Sequence, residues 1–359
     1  MMRSRDFSAI VVGSGPVGMI AALQLSQRCR TALIAHRLPS PADPPSVEAV
    51  PAPLLALLLE FGIHPQQIGV DRLFETRFSA WETATPMRNV GPAMAHVERP
   101  ALDLALLSKV LAAKRLKIVT GRFSTGRLQA MVGPGWGKCR LLDGSGKRAV
   151  SANEILRPGK PWASRSFWVA SRGCPASREF RMAALPGGYV YRLGAAGYVG
   201  FGRVGRGKML TASAAEFTRQ LRRYAADWVL DGLPPIDTMQ PGKVAPASVQ
   251  WAAGNSFIAI GDAALARDPL SSQGLSCGIS EALYAAAIDT LRDEQMFLSR
   301  QAAQRSAHLQ ALTKIIASCR HRDEDAWKGY AEFVARHVAL PSAGADVSLR
   351  DGRILLPVA

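Results

Sequence analysis

The ordered pattern of the chain begins with a change of hydrophobic period. "AIVV" at 9–12 is a short, β-branched, unbroken apolar run, as expected of a parallel strand buried on both faces. Past a glycine cluster, "MIAALQLSQ" puts Ile20 with Leu23 and Ala21 with Leu25 at helical spacing, and residues 31–35 read as a second strand. Together these predict a β-α-β unit. A second such passage lies far along the chain. "SFIAIGDAA" at 256–264 is an apolar strand ending in Gly-Asp, and from Leu275 the positions Ile279, Leu283, Ala286 and Ala287 predict a long helix. Between them, "LPGGYVYRLGAAGYVGFGRVG" at 185–205 alternates aromatic and small residues between glycine turns, the pattern of an antiparallel sheet. Near the end, "CRHRDEDAWKGY" at 319–330 reads as a solvated helix face, and residues 340–359 as turns with a final edge strand.

Both passages carry glycine turns with a chemical reading. Gly13, Gly15 and Gly18 have G-x-G-x-x-G spacing between a strand and a helix. The first glycine permits the tight turn, the second lets backbone approach a pyrophosphate, and the third lets helix pack on strand. The helix N-terminus then offers N–H groups and partial positive charge to phosphates. An acidic residue normally closes such a unit by accepting hydrogen bonds from the adenosine ribose. His36 stands there instead, followed by Arg37. A neutral imidazole nitrogen accepts one bond; the alternatives are weaker ribose binding or another group. In the second passage, Asp262 suits the hydroxyls of a ribityl chain, and equally suits the N-cap of the next helix. "DPLSSQG" is a constrained turn, with φ fixed at Pro269 and close backbone approach allowed at Gly274.

Composition narrows the class. The 359 residues are 48% hydrophobic, enough for a sizeable core and two domains. Lys and Arg number 44 against 28 Asp and Glu, a formal net charge of +16. Without nucleic-acid motifs or basic runs interleaved with aromatics, this reads as an arginine-rich surface able to steer acidic partners, and no nucleic acid is expected. Cys29, Cys139, Cys174, Cys277 and Cys319 are odd in number and scattered, which predicts neither a disulfide framework nor a metal site and fits a cytoplasmic protein. The apolar stretch at 9–25 holds three glycines and a proline with no small-residue cleavage site, so neither a signal peptide nor a membrane span is expected.

"VVGSGPVGMIAAL" together with "GDAALARDPLSSQGLSCGISEA" resembles the group-A flavoprotein monooxygenases and their flavin-dependent halogenase relatives. Further likenesses cover most of the chain: "VEAVPAPLLALLLEFGI" at 47–63, "SAW" at 79–81, "HVERPALDLALL" at 96–107 and "YAEFVARH" at 330–337. The resemblance implies an α/β fold: a Rossmann-like FAD-binding domain with an antiparallel β-sheet substrate domain and C-terminal helices. It implies FAD as cofactor, its pyrophosphate end held by Gly13, Ser14, Gly15, Pro16 and Gly18 and its ribose by His36 and Arg37. Arg99 contacts FAD, Gly261 and Asp262 hold the ribityl region, and Pro269, Gly274 and Leu275 edge the isoalloxazine. The family's D-A-[ST]-G-R segment is reduced to "LRPGKPW" at 156–162, a departure alongside His36.

That resemblance implies hydroxylation of an indole- or phenol-like aromatic group through a flavin C4a-hydroperoxide. With only one dinucleotide fingerprint, electrons come from transiently bound NAD(P)H or a partner flavin reductase. Halogenation is disfavoured, since the halogenases use a lysine in about the first hundred residues and this chain has none before Lys109, nor a W-x-W-x-I-P motif. The substrate is an aromatic small molecule, or a tryptophan in a partner peptide or protein as in the subgroup that matures quinone cofactors. The alternative is a non-catalytic flavin-binding or assembly protein. No catalytic base is assigned: His96 and Glu82 read as structural, while Trp81, Tyr189 and Tyr191 are candidates for an apolar substrate pocket. Expected boundaries are about 1–75, 95–165 and 240–295 for the FAD domain, 76–94 and 166–239 for the substrate domain, and 296–359 for the helical region.

Overall fold

A computed structural model describes residues 7–43, 46–121, 125–133, 135, 139–146, 155–156, 164–170, 179–193, 199–204, 214–233, 238–244, 247–249, 253–254, 257–338, 348–350 and 353–355. In chain order the elements are β1 (Ala9–Val12), α1 (Pro16–Ser26), β2 (Thr31–Ala35), β3 (Val47–Pro51), α2 (Ala52–Glu60), β4 (Leu73–Ala80), β5 (Met87–Glu98) and α3 (Arg99–Ala112). Next come β6 (Leu116–Thr120), α4 (Thr125–Val132), β7 (Arg140–Asp143), β8 (Ile155–Leu156), β9 (Ser164–Ala170), β10 (Phe180–Leu185), β11 (Gly188–Arg192), β12 (Val199–Arg203) and α5 (Ala214–Arg223). The chain continues with β13 (Thr238–Val244), β14 (Ala247–Val249), β15 (Ala253–Gly254), β16 (Phe257–Ala259), β17 (Leu265–Ala266), α6 (Gly274–Ala287), α7 (Leu291–Ala317), α8 (Asp325–Val338), β18 (Ser348–Arg350) and β19 (Arg353–Leu355).

The first sheet has strand order β15-β16-β7-β1-β2-β6, parallel except for the β15–β16 pair. β1 is central, and its unbroken apolar run reflects burial by neighbours on both faces. α1 is apolar around nearly its whole circumference because it packs against β1 and β2 on one side and against α3 and α6 on the other. The chain leaves β1 towards β2 on one side and pairs with β7 on the other, so the carboxyl ends of β1 and β7 flank a topological switch point, where open α/β sheets bind ligands.

The second sheet has eight strands in the order β13-β9-β12-β11-β10-β4-β5-β3. It is antiparallel except at β4–β10, where Phe180 to Ala183 pair in parallel with Arg77 to Ala80. β3 falls within 1–75 and the last residues of β5 within 95–165, yet both belong to this sheet, because Val47 to Pro51 pair with Glu98 to Met94. α7 joins two cores: Phe297 packs with the helices of the first sheet, and Leu312 and Ile316 pack with α8 beneath the second.

The expectation of a solvated face at 319–330 holds for Arg322 to Asp325 and Lys328, which are exposed, and is corrected for the rest. Cys319, Trp327 and Tyr330 are at most 1% exposed. The Trp327 indole donates to the Leu185 carbonyl at 2.8 Å and meets Trp81 edge-on at 5.5 Å. Arg320 donates through Nη2 to the carbonyls of Ala184 and Tyr224, both at 2.9 Å, and through Nη1 to that of Thr83 at 3.3 Å. Charged residues spaced among the aromatics disguised a segment that locks the tail onto the second sheet. The final strand joins neither main sheet: β18 and β19 pair antiparallel as a two-stranded sheet of their own.

Candidate functional site

The first glycine turn is shaped by contacts that admit no side chain. Gly13 has φ +111°, and a Cβ there would sit 2.4 Å from the Gly144 carbonyl oxygen at the end of β7. A Cβ on Gly18 would lie 2.0 Å from the Gly13 carbonyl oxygen, so the third glycine seats α1 on the turn. Gly15 faces elsewhere: its Cβ would point towards Arg99 Nη2 at 3.5 Å, across a cleft. Arg99 opens α3 and is held by Glu48 at 2.5 Å and Asp103 at 2.9 Å. Burial works against its charge, but the two carboxylates more than offset this and raise its pKa. Ser14 Oγ donates to the Arg37 carbonyl at 2.6 Å, tying the turn to the loop after β2.

The second turn rests against the first. A Cβ on Gly261 (φ +58°) would lie 3.1 Å from Val17 Cγ1, and one on Gly278 would lie 2.7 Å from Val17 Cγ2. Val17 of the first motif thus sits between the Gly-Asp turn and α6. A buried ion pair supports this junction. Glu281 Oε2 accepts from the Gly261 N–H at 2.8 Å, and its Oε1 accepts from Arg267 Nη2 at 3.0 Å. Arg267 Nη2 also donates to Gln304 on α7 at 3.2 Å, whereas its buried Nη1 has no hydrogen-bond partner among the described residues.

Asp268, the acid of the D-P turn, is 1% exposed and accepts three donors. Leu270 N–H reaches Oδ1 at 2.8 Å, the Tyr189 hydroxyl reaches it at 3.4 Å, and the Tyr330 hydroxyl binds Oδ2. Burial raises the Asp268 pKa, opposed by those hydrogen bonds, and burial also lifts the Tyr189 and Tyr330 phenols well above their ordinary value. The phenols therefore stay protonated and donate. The seats of Tyr189 and Tyr191 are built by glycine: Cβ atoms on Gly200 and Gly202 of β12 would lie 2.1 and 2.0 Å from the rings of Tyr191 and Tyr189, which lean across the paired strand.

These parts line one cleft of about 640 Å³, within the range of small-molecule and cofactor sites. One end is polar, formed by Gly15, Pro16, Arg37, Arg99, Gly144 to Gly146 and Asp262. The other is an aromatic and apolar wall of Phe180, Met182, Tyr189, Tyr191 and Leu193, facing Leu270, Gly274 and Leu275. Ring pairs Phe180–Tyr191 and Tyr189–Tyr191 are stacked with centroids 6.3 and 6.1 Å apart. α1, α3 and α6 all start at the cleft without a side-chain cap and without an acidic side chain in their first turns, so three helix N-termini direct partial positive charge towards it. Asp262 opens into the cleft yet is ringed by protein. Loss of water, with the Glu48 carboxylate adding to it, raises its pKa from 3.8 to about 6 against the pull of Arg99 and Arg267.

Of the residues singled out in the sequence, the cleft brings together Gly15, Pro16, Arg37, Arg99, Asp262, Gly274, Leu275, Tyr189 and Tyr191. Gly13, Gly18 and Gly261 shape its walls from behind, and Pro269 opens the short 3-10 turn Pro269–Ser271. Asp262 caps no helix: the residue before α6 is Gln273. His36 is exposed and outside the lining. Trp81 is also outside it, because it is a core residue whose indole donates to the Ile315 carbonyl at 2.7 Å. His96 stacks on Phe74 at 4.2 Å, burial lowers its pKa to about 3, and Glu82 is exposed. Of "LRPGKPW" only Leu156 is among the described residues, as the end of β8; 157–162 lie outside them. Sequence reading missed Gly144 to Gly146, Asp43, Arg267, Asp268 and Glu281. Glu281 alone left a signal, a lone acid within an apolar helical run.

The two sheets and the cleft between them define the architecture of FAD-dependent halogenases and flavin monooxygenases. No protein-family model matches the chain, and no curated protein is similar to it in sequence. Peptidyl tryptophan dihydroxylase QhpG, essential for tryptophylquinone cofactor biogenesis, is similar over 97% of this chain and 86% of that one, with TM-score 0.65 and 19% identity. The myxobacterial chondrochloren halogenase CndH is similar over 94% of this chain and 91% of that one, with TM-score 0.65 and 16% identity. For p-nitrophenol 4-monooxygenase PnpA from Pseudomonas putida DLL-E4 the coverage is 96% of each chain, the TM-score 0.58 and the identity 16%. Among the described residues no helix is long and apolar enough to cross a membrane, and no group of His, Cys, Asp or Glu is arranged for a metal ion.

Proposed function

We infer that the protein is an FAD-dependent monooxygenase that hydroxylates an electron-rich aromatic ring, best matched by an indole. The observation that carries this is one continuous cleft with a glycine-and-helix-terminus end for phosphates and sugars and an aromatic end for a flat apolar ring. The residues fit the cofactor. Gly15 and Gly274 face the cleft with room that a Cβ would take, the uncapped starts of α1 and α3 suit a diphosphate, and that of α6 suits the ring edge. Gly13 to Gly18 and Arg99 would hold the pyrophosphate end, Asp262 the ribityl hydroxyls, and Gly274 with Leu275 the ring edge. When bound, the reduced cofactor supplies activation of O2 for transfer of one oxygen atom.

The protein's own residues then govern access and charge. Tyr189 and Tyr191, locked as neutral phenols, with Phe180, Met182 and Leu193 keep the aromatic end dry. The carboxylates beside that wall are both engaged: Asp268 accepts three donors, and Glu48 is paired with Arg99. No free base is thus available among the described residues there. A phenol benefits from deprotonation before attack; an indole is electron-rich as it stands. The arrangement favours the indole, and QhpG's action on a peptidyl tryptophan makes a peptide-borne indole the substrate to try first. No described residue lining the cleft is a lysine, which speaks against halogenation. The net reaction takes aromatic C–H, O2, two electrons and two protons to aromatic C–OH and water, the electrons coming from NAD(P)H or a partner reductase.

The test is retention of added FAD through desalting, followed by aerobic turnover with NAD(P)H or a reductase on a tryptophan peptide, 3-methylindole and a phenol. A mass gain of one oxygen on the indoles supports the reading. A colourless protein that retains no flavin refutes it and moves the assembly-protein alternative to the front.

A further inference from the structure

The glycine turn of this fold lacks its usual acidic partner: β2 ends at Ala35, and His36 after it is exposed and outside the cleft. Several residues further on, a carboxylate comes back into the same cleft. Asp43 lines it beside Arg37 and Gly15, with its side chain only 20% exposed. The loop 37–43 that presents it is held at both ends. Ser14 Oγ of the glycine turn donates to the Arg37 carbonyl at 2.6 Å, and Ser40 N–H donates to Asp43 Oδ2 at 3.0 Å. Arg37 Nη1 ion-pairs with Asp43 Oδ1, and Ala42 N–H donates to Ser40 Oγ at 3.2 Å.

We propose that Asp43 has taken over the role of the missing acid and accepts the adenosine ribose hydroxyls of FAD. A carboxylate offers about four acceptor positions; Ser40 N–H and Arg37 use one on each oxygen, and a vicinal diol needs two more. The Ser40 hydrogen bond, first among the causes, and the Arg37 charge lower the Asp43 pKa, so it is an anion at neutral pH. The pairing also decides between nucleotides. An arginine after β2 is the arrangement that greets a ribose 2′-phosphate, but here Arg37 is engaged by Asp43 and the two charges cancel. The site therefore takes a nucleotide with a free ribose diol and rejects one carrying a 2′-phosphate. This assignment rests on the FAD reading.

Fluorescence titrations with FAD, FMN and NADP+ on the wild type, Asp43→Ala and Asp43→Asn test it, with thermal melting to confirm that each variant is folded. Loss of a charged acceptor weakens FAD about ten- to a hundredfold in Asp43→Ala, less in Asp43→Asn, and leaves FMN, which has no adenosine, unchanged. An unchanged FAD affinity in Asp43→Ala overturns the assignment while leaving the cofactor reading intact. So does equal weakening of FAD and FMN. NADP+ binding the wild type more tightly than FAD overturns the diol preference. A wild type that binds no FAD overturns the cofactor reading and this assignment with it.

Discussion

Replacing Glu281 by leucine probes the joint between the two glycine turns. Its side chain and that of Arg267 are 3% and 2% exposed, and the carboxylate also receives the Gly261 N–H. The substitution strands a buried guanidinium whose only other hydrogen-bond partner among the described residues is Gln304. Removing one member of a buried pair costs about 3–5 kcal/mol, because a desolvated charge is left without compensation. At roughly 2.1 cal/mol/K of unfolding entropy per residue, the melting temperature of the 359-residue chain falls by about 4–7 °C. The double variant Glu281→Leu with Arg267→Met removes both charges, so it is expected to be more stable than Glu281→Leu alone, despite a Gly261 amide that lost its acceptor at about 1–3 kcal/mol. Urea unfolding of the four proteins closes the cycle. If Glu281→Leu costs less than about 1 kcal/mol, or the two single effects add, the pair is not the strut described here.

The raised pKa of Asp262 means that the folded apoprotein binds a proton more tightly than the unfolded chain, so stability falls as pH rises from about 4 through about 6. Asp262→Asn abolishes that slope and melts higher than wild type at pH 7, read from melting temperatures across pH; a slope unchanged in the variant refutes the assignment. Gly202→Ala places a methyl 2.0 Å from the Tyr189 ring and forces it from its seat, costing about 1–3 kcal/mol or more with a changed near-UV dichroism; an unaltered spectrum argues against the stacked seat. Arg320→Ala leaves the Ala184, Thr83 and Tyr224 carbonyls without their donor and costs about 2–3 kcal/mol by urea unfolding. Arg320→Lys restores less than half of that, since an ammonium does not span three carbonyls as the guanidinium fork does.

Local pattern carried the first motif a long way. β1 and β2 begin and end where hydrophobic period and glycine punctuation place them, because strand pairing and the Gly13–Gly18 contact lie within one β-α-β unit. What remained hidden depends on partners distant in sequence. Gly144 to Gly146 acquire meaning only once β7 pairs beside β1. Asp268 is an ordinary turn acid until Tyr189 and Tyr330, from a sheet and from the last helix, converge on it. The D-P turn passes through a left-handed conformation at Ser272, a non-glycine residue with φ +48° that sequence does not mark. The tail at 319–330 was obscured because its buried aromatics are separated by charged residues, and periodicity alone does not say which face meets a core.

The wedge of Val17 between Gly261 and Gly278 has a consequence for how the molecule comes into being. A cleft whose two turns meet at Val17, and whose sheet gains β16 beside β7 only from residues 257–259, is a product of very distant contacts. Such closures are slow to form, and during synthesis the amino-terminal β-α-β unit emerges long before its counterpart. Until α6 has left the ribosome, the first glycine turn has no opposite wall. The nascent chain therefore carries half a cleft through most of its translation, and any ligand that bridged both halves would act last, as the clasp that fastens a completed chain.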